Sequence, residues 1–176
     1  MATNLEQAAQ EYRDFLPSFR SLCLATVDET GKPDLSYAPH VLSPEGRFYV
    51  FLSDLARHTG LLRTSGCASV LLIEAEAQAQ EIFARKRISF QCQAEQVERE
   101  SKEWRQILAD FEQQFGEIVT LLKGLGDFHL FRLSPESGLF IKGFGQAFAI
   151  GGERMDELQQ QPKVAGVRLR SSRLVS

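Results

Sequence analysis

The sequence predicts a mainly β protein of the α+β kind, in which antiparallel strands form a closed or nearly closed barrel with flanking helices. About six or seven segments have the alternation or composition of strands, whereas about three have helical periodicity. Most strands are separated by connections of hairpin length, which favours antiparallel pairing. The chain lacks the regular alternation of strand and helix that a doubly wound parallel sheet requires, so we exclude that class.

Length and composition fit a single globular domain. The chain has 176 residues, of which 43% are hydrophobic and 24% are charged, and its formal net charge is −3. A domain of this size buries enough surface to fold without disulfides or a structural metal. The net negative charge argues against nucleic-acid binding as the main activity, because phosphate backbones attract basic surfaces.

The cysteines and the start of the chain predict a cytoplasmic location. Cys23, Cys67 and Cys92 are odd in number and widely spaced, which predicts free thiols in a reducing compartment. Glu6 and Glu11 interrupt the first segment, so we expect no secretory signal peptide. The longest apolar runs are far too short to span a bilayer, and we expect no membrane partner.

The first part of the chain predicts one helix followed by three strands. Residues 4–16 have apolar side chains at helical spacing, and Pro17 ends the pattern. Residues 21–27 are apolar on both faces, as expected of a strand that is covered on both sides. Clusters of turn-forming residues separate it from strands predicted at 35–42 and 47–53.

The middle of the chain predicts two strands and two helices. A short helix at 54–64 leads into a fourth strand at 67–74. Residues 82–97 are predicted to form a long strand, because polar and apolar side chains alternate from Arg87 onward. Residues 101–123 carry the clearest helical periodicity, with an apolar stripe along one face.

The last part of the chain predicts two more strands, a turn and a tail. The two strands and the turn between them are predicted at 127–133, 139–149 and 134–138. We expect residues 1–152 to form one barrel domain, which includes the N-terminal helix and the inserted helix 101–123. Residues 153–176 are expected to form a C-terminal tail that begins as a helix and ends with a basic stretch.

Sequence motifs exclude several enzyme classes. His40, His58 and His129 are far apart and form no zinc-binding pattern. There is no nucleophile elbow and no Walker loop. Gly143 and Gly145 lack the third glycine of a dinucleotide fingerprint, so close backbone packing is the simpler interpretation.

Two basic groups are candidate anion sites. Arg85 and Arg87 lie two residues apart on a predicted strand and therefore share a face, and arginine forks bind phosphate or carboxylate. Arg57, His58 and Arg63 form a second group on the short helix. For each group the alternative is a solvated polar surface without a ligand.

Asp127 and His129 form a third candidate site. They lie two residues apart on one predicted strand and point the same way. A neighbouring aspartate tunes the basicity of an imidazole, which favours a catalytic or ligand-binding pair. The alternative is an ordinary polar pair on the surface of a strand.

Four segments, in chain order, carry a family resemblance. They are LATVDETGKPDLSYAPHV, SDLARHTGLL, EIFARKRISF and GDFHLFRLSPESGLFIKGFGQAF. Together they resemble the HugZ/HutZ haem utilisation family, within the pyridoxamine 5′-phosphate oxidase-like, FMN-binding split β-barrel superfamily. The resemblance covers roughly residues 10–155. It implies a split barrel that forms a homodimer, with the ligand site at the dimer interface.

The resemblance implies roles for two residues if the ligand is haem. An arginine near the haem matches Arg87, and an aspartate that supports the axial histidine matches Asp127. The axial histidine of the family lies after the last barrel strand, and the matching segment of this chain contains no histidine. His129 is therefore the first candidate for the haem iron ligand, and His58 is the second.

The resemblance implies a different use of the site if the ligand is a flavin. In the flavin-binding relatives a serine and a basic residue bind the cofactor phosphate, and these match Ser53 and Arg57, with His58 as a further candidate. Arg87 would join them at the phosphate, and main-chain groups near Gly143 would approach the flavin ring.

Three functions are therefore expected from the sequence. The first is a haem-binding protein of the haem utilisation family that degrades haem oxidatively, with electrons from a donor that the sequence does not identify. The second is an FMN-dependent oxidoreductase. The third is a haem carrier or storage protein without enzymatic activity.

Overall fold

A computed structural model describes residues 4–161 of the chain. Its helices are α1 (Asn4–Phe15), α2 (Arg57–Ser65), α3 (Lys102–Phe115) and α4 (Glu117–Lys123). Its strands are β1 (Ser21–Val27), β2 (Pro33–Leu42), β3 (Phe48–Ser53), β4 (Cys67–Ile73), β5 (Arg87–Gln96), β6 (Phe128–Gly143), β7 (Gln146–Gly151) and β8 (Glu157–Gln160). Within these residues, no helix is long and apolar enough to cross a membrane.

The strands form an antiparallel barrel, as the sequence predicts. The sheet order is β3-β2-β1-β4-β5-β6-β7-β8, and a further pairing joins β3 to β6. This pairing runs from Phe48 opposite Leu133 to Ser53 opposite Phe128, and it closes a barrel of six strands. The remaining strands, β7 and β8, extend the sheet from the second half of β6.

The turn predicted at 134–138 is wrong, because β6 continues through it as one strand of 16 residues. Pro135 and Gly138 are typical turn residues, but Pro135 lies opposite Cys92 of β5, next to a bulge of β6 at Glu136. A Cβ atom on Gly138 would lie 2.7 Å from the ring of Phe90, so the glycine allows the two strands to pack closely. The single strand predicted at 139–149 is also wrong, because the hairpin between β6 and β7 lies within it, at residues 144–145.

Three other boundaries differ from the prediction. The strand predicted at 82–97 begins at Arg87, and residues 82–84 form a short 3₁₀ turn. The helix predicted at 101–123 is two helices, because Gly116 has a φ of 81° that a helix does not allow. The helix expected at the start of the tail is instead β8, which pairs with β7. The basic end of the tail lies outside the described residues.

The apolar side chains form two cores on the two faces of β3. Val50 and Leu52 face the barrel interior, whereas Tyr49 and Phe51 face α3. Helix α3 buries four side chains against this outer face, namely Trp104, Ile107, Leu108 and Phe111. Because β3 is covered on both faces, its sequence is continuously apolar rather than alternating.

Polar contacts hold α3 in place against the barrel. The hydroxyl of Tyr49 donates to Oε1 of Glu103 at 2.8 Å. Arg132 of β6 donates to both carboxylate oxygens of Glu103, at 2.8 and 2.9 Å, and also contacts Glu95. Charge-assisted, bidentate contacts of this kind are geometrically specific, so they fix the orientation of α3 as well as its position.

Helices α1 and α2 cover opposite ends of the barrel. The ring of Tyr12 in α1 lies 5.7 Å from that of Phe140, which pairs with Ile88 near the start of β5. Leu62 of α2 is fully buried, and Gly66, which follows that helix, accepts a hydrogen bond from Ala94 near the end of β5. The hydroxyl of Tyr12 also donates to the carbonyl of Met155 at 2.6 Å, which ties α1 to the segment before β8.

His40 is buried inside the barrel. Its side chain packs against Phe48, with ring centroids 5.3 Å apart, and its Nδ1 has no hydrogen-bond partner among residues 4–161. Burial lowers the pKa of His40 to about 4. The imidazole is therefore neutral in the folded protein at pH 7.

We expect Gly138→Ala to lower the free energy of unfolding by about 1–3 kcal/mol, because the added methyl group overlaps the ring of Phe90. Gly60→Ala is the matched control. Gly60 lies within α2 with no atom within 4 Å of the added Cβ, so this change should raise the free energy by about 0.5–1 kcal/mol. Urea denaturation measures both, and equal effects would contradict the close packing at Gly138.

His40 should make the protein less stable in acid. The folded-state pKa of about 4 lies below the unfolded value of 6.5, so the unfolded chain binds the proton more readily. This contribution is fully present above pH 6.5 and falls as the pH drops towards 4, by about 3 kcal/mol in total. Urea unfolding at pH 7 and at pH 4 should show that His40→Gln loses less stability than the unmodified protein. Parallel losses in the two proteins would contradict it.

Candidate functional site

Ser53 and Asp127 meet at the end of the barrel that α2 covers. The antiparallel register places Ser53, the last residue of β3, opposite Phe128, so Asp127 comes next to Ser53. The Ser53 hydroxyl donates to Oδ2 of Asp127 at 2.7 Å and accepts from the backbone N–H of Leu55 at 3.1 Å. The backbone N–H of Asp54 donates to the Asp127 carbonyl at 2.8 Å. Two residues predicted from different segments are thus one hydrogen-bonded pair.

His129 belongs to a closed ring of hydrogen bonds with three other side chains. Its Nε2 lies 2.8 Å from Oδ2 of Asp54, and its Nδ1 lies 3.2 Å from Nε2 of Gln96. Arg63 completes the ring by donating to Gln96 at 3.0 Å and to Asp54 at 3.1 Å. Both ring nitrogens of His129 are therefore occupied by protein groups. We call these four residues the His129 ring.

The carboxylate partner of His129 is Asp54 rather than the Asp127 that its spacing predicts. The hydrogen bonds from His129 and then from Arg63 lower the pKa of Asp54. Sequence reasoning missed Asp54 and Gln96. Asp54 stands beside Ser53 in a loop, and Gln96 reaches His129 only through the pairing of β5 with β6, which the sequence does not specify.

Arg57 is exposed and only loosely paired at the start of α2. Its guanidinium lies 3.6 Å from Oδ2 of Asp28 and 3.5 Å from Oδ1 of Asp34. These distances are longer than those of good hydrogen bonds, and the side chain is 58% exposed. Asp28 is already engaged by Thr30 and by the backbone N–H of Lys32. An external carboxylate or phosphate can therefore compete for Arg57 at little cost.

His58 is half-buried and adjacent to Arg57 on the first turn of α2. Burial lowers its pKa, while the charge of Asp34 acts weakly in the opposite direction. Among residues 4–161, neither of its ring nitrogens has a hydrogen-bond partner. The side chain is thus a neutral imidazole at pH 7 with free nitrogen atoms.

The other predicted residues lie at the opposite end of the barrel. Arg85 precedes β5 and folds back onto the chain, where it contacts the carbonyl of Glu74 and pairs with Glu76 at 3.1 Å. Arg87 donates to the carbonyl of Arg85 at 2.9 Å. The shared strand face that the sequence predicts for the two arginines is therefore absent, because only Arg87 lies in the strand.

A cavity of about 420 Å³ lies beside Gly143 at the same end. Two lysines line it, but both are paired. Lys142 donates to Glu11 at 2.7 Å, and Lys86 lies 3.4 Å from the same carboxylate. The charges of the two lysines are therefore largely neutralised. This cavity attracts an anion less strongly than two unpaired lysines would.

The predicted site residues thus form two groups within one chain. The first comprises those near α2, namely Ser53, Arg57, His58, Asp127 and His129. The second comprises those at the far end, namely Arg85, Arg87 and Gly143. A strand rises about 3.3 Å per residue, so Arg87 and Gln96 at the two ends of β5 lie about 30 Å apart. Gln96 contacts His129, and one small ligand therefore does not reach both groups of the same chain.

Comparison with known proteins identifies related chains. The chain matches the pyridoxamine 5′-phosphate oxidase family over residues 8–142. It is 46% identical over 143 residues to a protein of Vibrio cholerae named heme oxygenase HutZ, and the match covers 81% of each chain.

Solved structures give the same result. A crystal structure described as HutZ, the heme storage protein from Vibrio cholerae, superposes with a TM-score of 0.72 at 44% identity, covering 80% of this chain and 96% of that one. The structure of ChuZ from Campylobacter jejuni gives a TM-score of 0.77 at 31% identity. That match covers 87% of this chain and 63% of the ChuZ chain.

The His129 ring predicts a measurable change at Asp54. His129→Phe removes the first of the hydrogen bonds that lower the pKa of Asp54, so this pKa should rise towards its ordinary value. Carboxyl carbon NMR titration measures it. The internal control is Asp28, whose pKa is lowered chiefly by Thr30 and should not move. An unchanged Asp54 titration would contradict the ring.

Proposed function

The chain belongs to the pyridoxamine 5′-phosphate oxidase family, and from that premise we propose that it binds haem in haem utilisation. The observation that carries the proposal is the 46% identity to heme oxygenase HutZ across 81% of both chains. HutZ of Vibrio cholerae is named a heme oxygenase in one description and a heme storage protein in another, so both haem degradation and haem carriage need to be tested.

The residues near α2 have the chemistry that haem requires. Haem presents carboxylates, a broad apolar ring and an iron that prefers a neutral imidazole or a thiolate. Arg57 offers an exposed guanidinium for a carboxylate, and His58 offers a neutral imidazole. Leu55, in the loop between β3 and α2, is 93% exposed and offers apolar surface. The donor set fits the group.

We propose further that the active form is a homodimer. Arg87 and Asp127 are both expected at one haem, yet within one chain they lie at opposite ends of the barrel. A partner subunit that supplies Arg87 to the site near α2 removes this conflict. The outer face of β2 offers a surface for this contact, because Leu35 and Tyr37 are 77% and 64% exposed.

The protein side chains would hold and orient the haem and exclude water from it, whereas the haem itself would carry out the redox chemistry. Bound haem would supply the iron at which O₂ is activated, and a separate donor would supply the electrons. Ser53 donates to Oδ2 of Asp127 and so fixes the orientation of a carboxylate near the proposed haem site. Arg87 of the partner subunit would bind and orient a haem propionate.

The proposed location is the cytoplasm. The three cysteines are unpaired in the part of the chain that the structure describes. Cys67 is exposed and Cys92 is buried, and burial raises the pKa of Cys92 to about 12. Free thiols of this kind persist in a reducing compartment.

Parallel titrations of the purified protein with haemin and with FMN test the proposal. We expect a saturable Soret change at about one haem per subunit, and sedimentation should show a dimer. Arg87→Ala should weaken haemin binding by about tenfold, which is about 1.4 kcal/mol for a lost charge-assisted contact. Arg105→Ala is the matched control, since the Arg105 side chain is 64% exposed and, among residues 4–161, makes only a long surface ion pair with Glu100.

Two outcomes separate the alternatives. Tight FMN binding with non-saturable haemin uptake would contradict haem binding and make the protein a flavin oxidoreductase. If haemin binds stoichiometrically, addition of ascorbate under air distinguishes an enzyme from a carrier. Loss of the Soret band indicates degradation of the haem, whereas an intact band indicates carriage or storage.

A further inference from the structure

The chain lacks the histidine that the family resemblance predicts as the haem iron ligand. The family resemblance places the axial histidine after the last barrel strand, and residues 153–176 contain no histidine. All three histidines of the chain lie among the described residues, so each can be judged by its surroundings. A ligand to haem iron needs a free, deprotonated ring nitrogen at a surface that a porphyrin can reach.

His40 does not meet this condition. It is 1% exposed inside the barrel and packs against Phe48, and the nearby backbone carbonyl of Arg20 binds its main-chain N–H. Its orphaned Nδ1 faces the apolar core. Haem would have to open the barrel to reach it.

His129 does not meet it either, for a different reason. Its Nε2 contacts Asp54 at 2.8 Å and its Nδ1 contacts Gln96 at 3.2 Å, so both nitrogens are engaged. Arg63 holds both of these partners in place. Ligation of iron by His129 would break one side of the ring and leave a carboxylate or an amide without its partner.

His58 meets the condition, and we infer that it is the haem iron ligand of this protein, an inference that rests on the proposed haem binding. Among residues 4–161 its ring nitrogens have no hydrogen-bond partner, and its side chain is half-buried at the rim of the barrel. The adjacent Arg57 is exposed and suited to a haem carboxylate.

Helix α2 gives this ligand a rigid base. Leu62 and Thr59 are fully buried beneath it, and the Thr59 hydroxyl donates to the Ser53 carbonyl at 2.7 Å. Gly66, with a φ of 65°, ends the helix, and its N–H bonds to the Leu62 carbonyl. A ligand carried on the first turn of a well-anchored helix is held in position before the haem arrives.

The test compares full-length His58→Gly and His129→Gln, each titrated with haemin in the presence and absence of free imidazole. Absorption and electron paramagnetic resonance spectra of the ferric complexes report the axial ligand directly. We expect His129→Gln to keep the histidine-type spectrum of the unmodified protein. His58→Gly should lose it, bind haemin at least tenfold more weakly, and recover the spectrum when imidazole fills the vacated position.

Each other outcome overturns the inference. If His58→Gly retains the original spectrum, the ligand is another group, and a thiolate-type spectrum would point to the exposed Cys67. If only His129→Gln loses the histidine-type spectrum, the His129 ring opens on binding and His129 is the ligand. If the unmodified protein shows no saturable haemin binding, the proposed function itself fails. Circular dichroism checks folding, and His58→Gln replaces the glycine variant if that one is unfolded.

Discussion

The pairing of β3 with β6 is the contact on which both the fold and the site depend. It joins residues 48–53 to 128–133 and turns an open sheet into a closed barrel. The same register sets Asp127 beside Ser53 and carries His129 to Asp54. The barrel closure and the polar cluster are therefore one structural event. A slip of one residue in this register would turn the core side chains outward and separate the Ser53–Asp127 pair.

The end of the barrel near α2 combines two kinds of polar group. The His129 ring is internally satisfied, because its donors and acceptors meet one another. Arg57 and His58 are not satisfied in this way, since Arg57 has only long ion pairs and His58 has no hydrogen bond to its ring among the described residues. A satisfied network is costly to disturb, whereas exposed and weakly paired groups are available to a ligand. The contrast explains why two histidines at the same barrel end have different roles in the proposal.

The sequence predicts the barrel well because its strands have clear local signals. The turn residues that separate β1, β2 and β3, the apolar runs of β1 and β3, and the alternating side chains of β5 are visible without any knowledge of partners. The prediction errors arise at residues whose role depends on tertiary contacts rather than on the local sequence. Gly138 is a typical turn residue, but here it makes room for the ring of Phe90. Gly116 lies within an apolar stripe of helical spacing, but its positive φ ends the helix there. Arg85 is spaced from Arg87 as a second anion-binding arginine would be, but its side chain instead binds the Glu74 carbonyl within the loop before β5. The pairing of His129 with Asp54 depends on a long-range register, which local patterns do not contain.

The contact between Tyr12 and Met155 bears on how the chain folds while it is being made. These residues are 143 positions apart, and the hydroxyl of Tyr12 finds its acceptor only near the end of the described chain. Synthesis delivers the N-terminal segment first, so α1 must wait for almost the whole polypeptide before its buried face is covered. Until then its apolar side chains, including Ala8 and Phe15, have only local contacts. Helix α1 is thus made before the strands that cover it and reaches its native place only after they have formed.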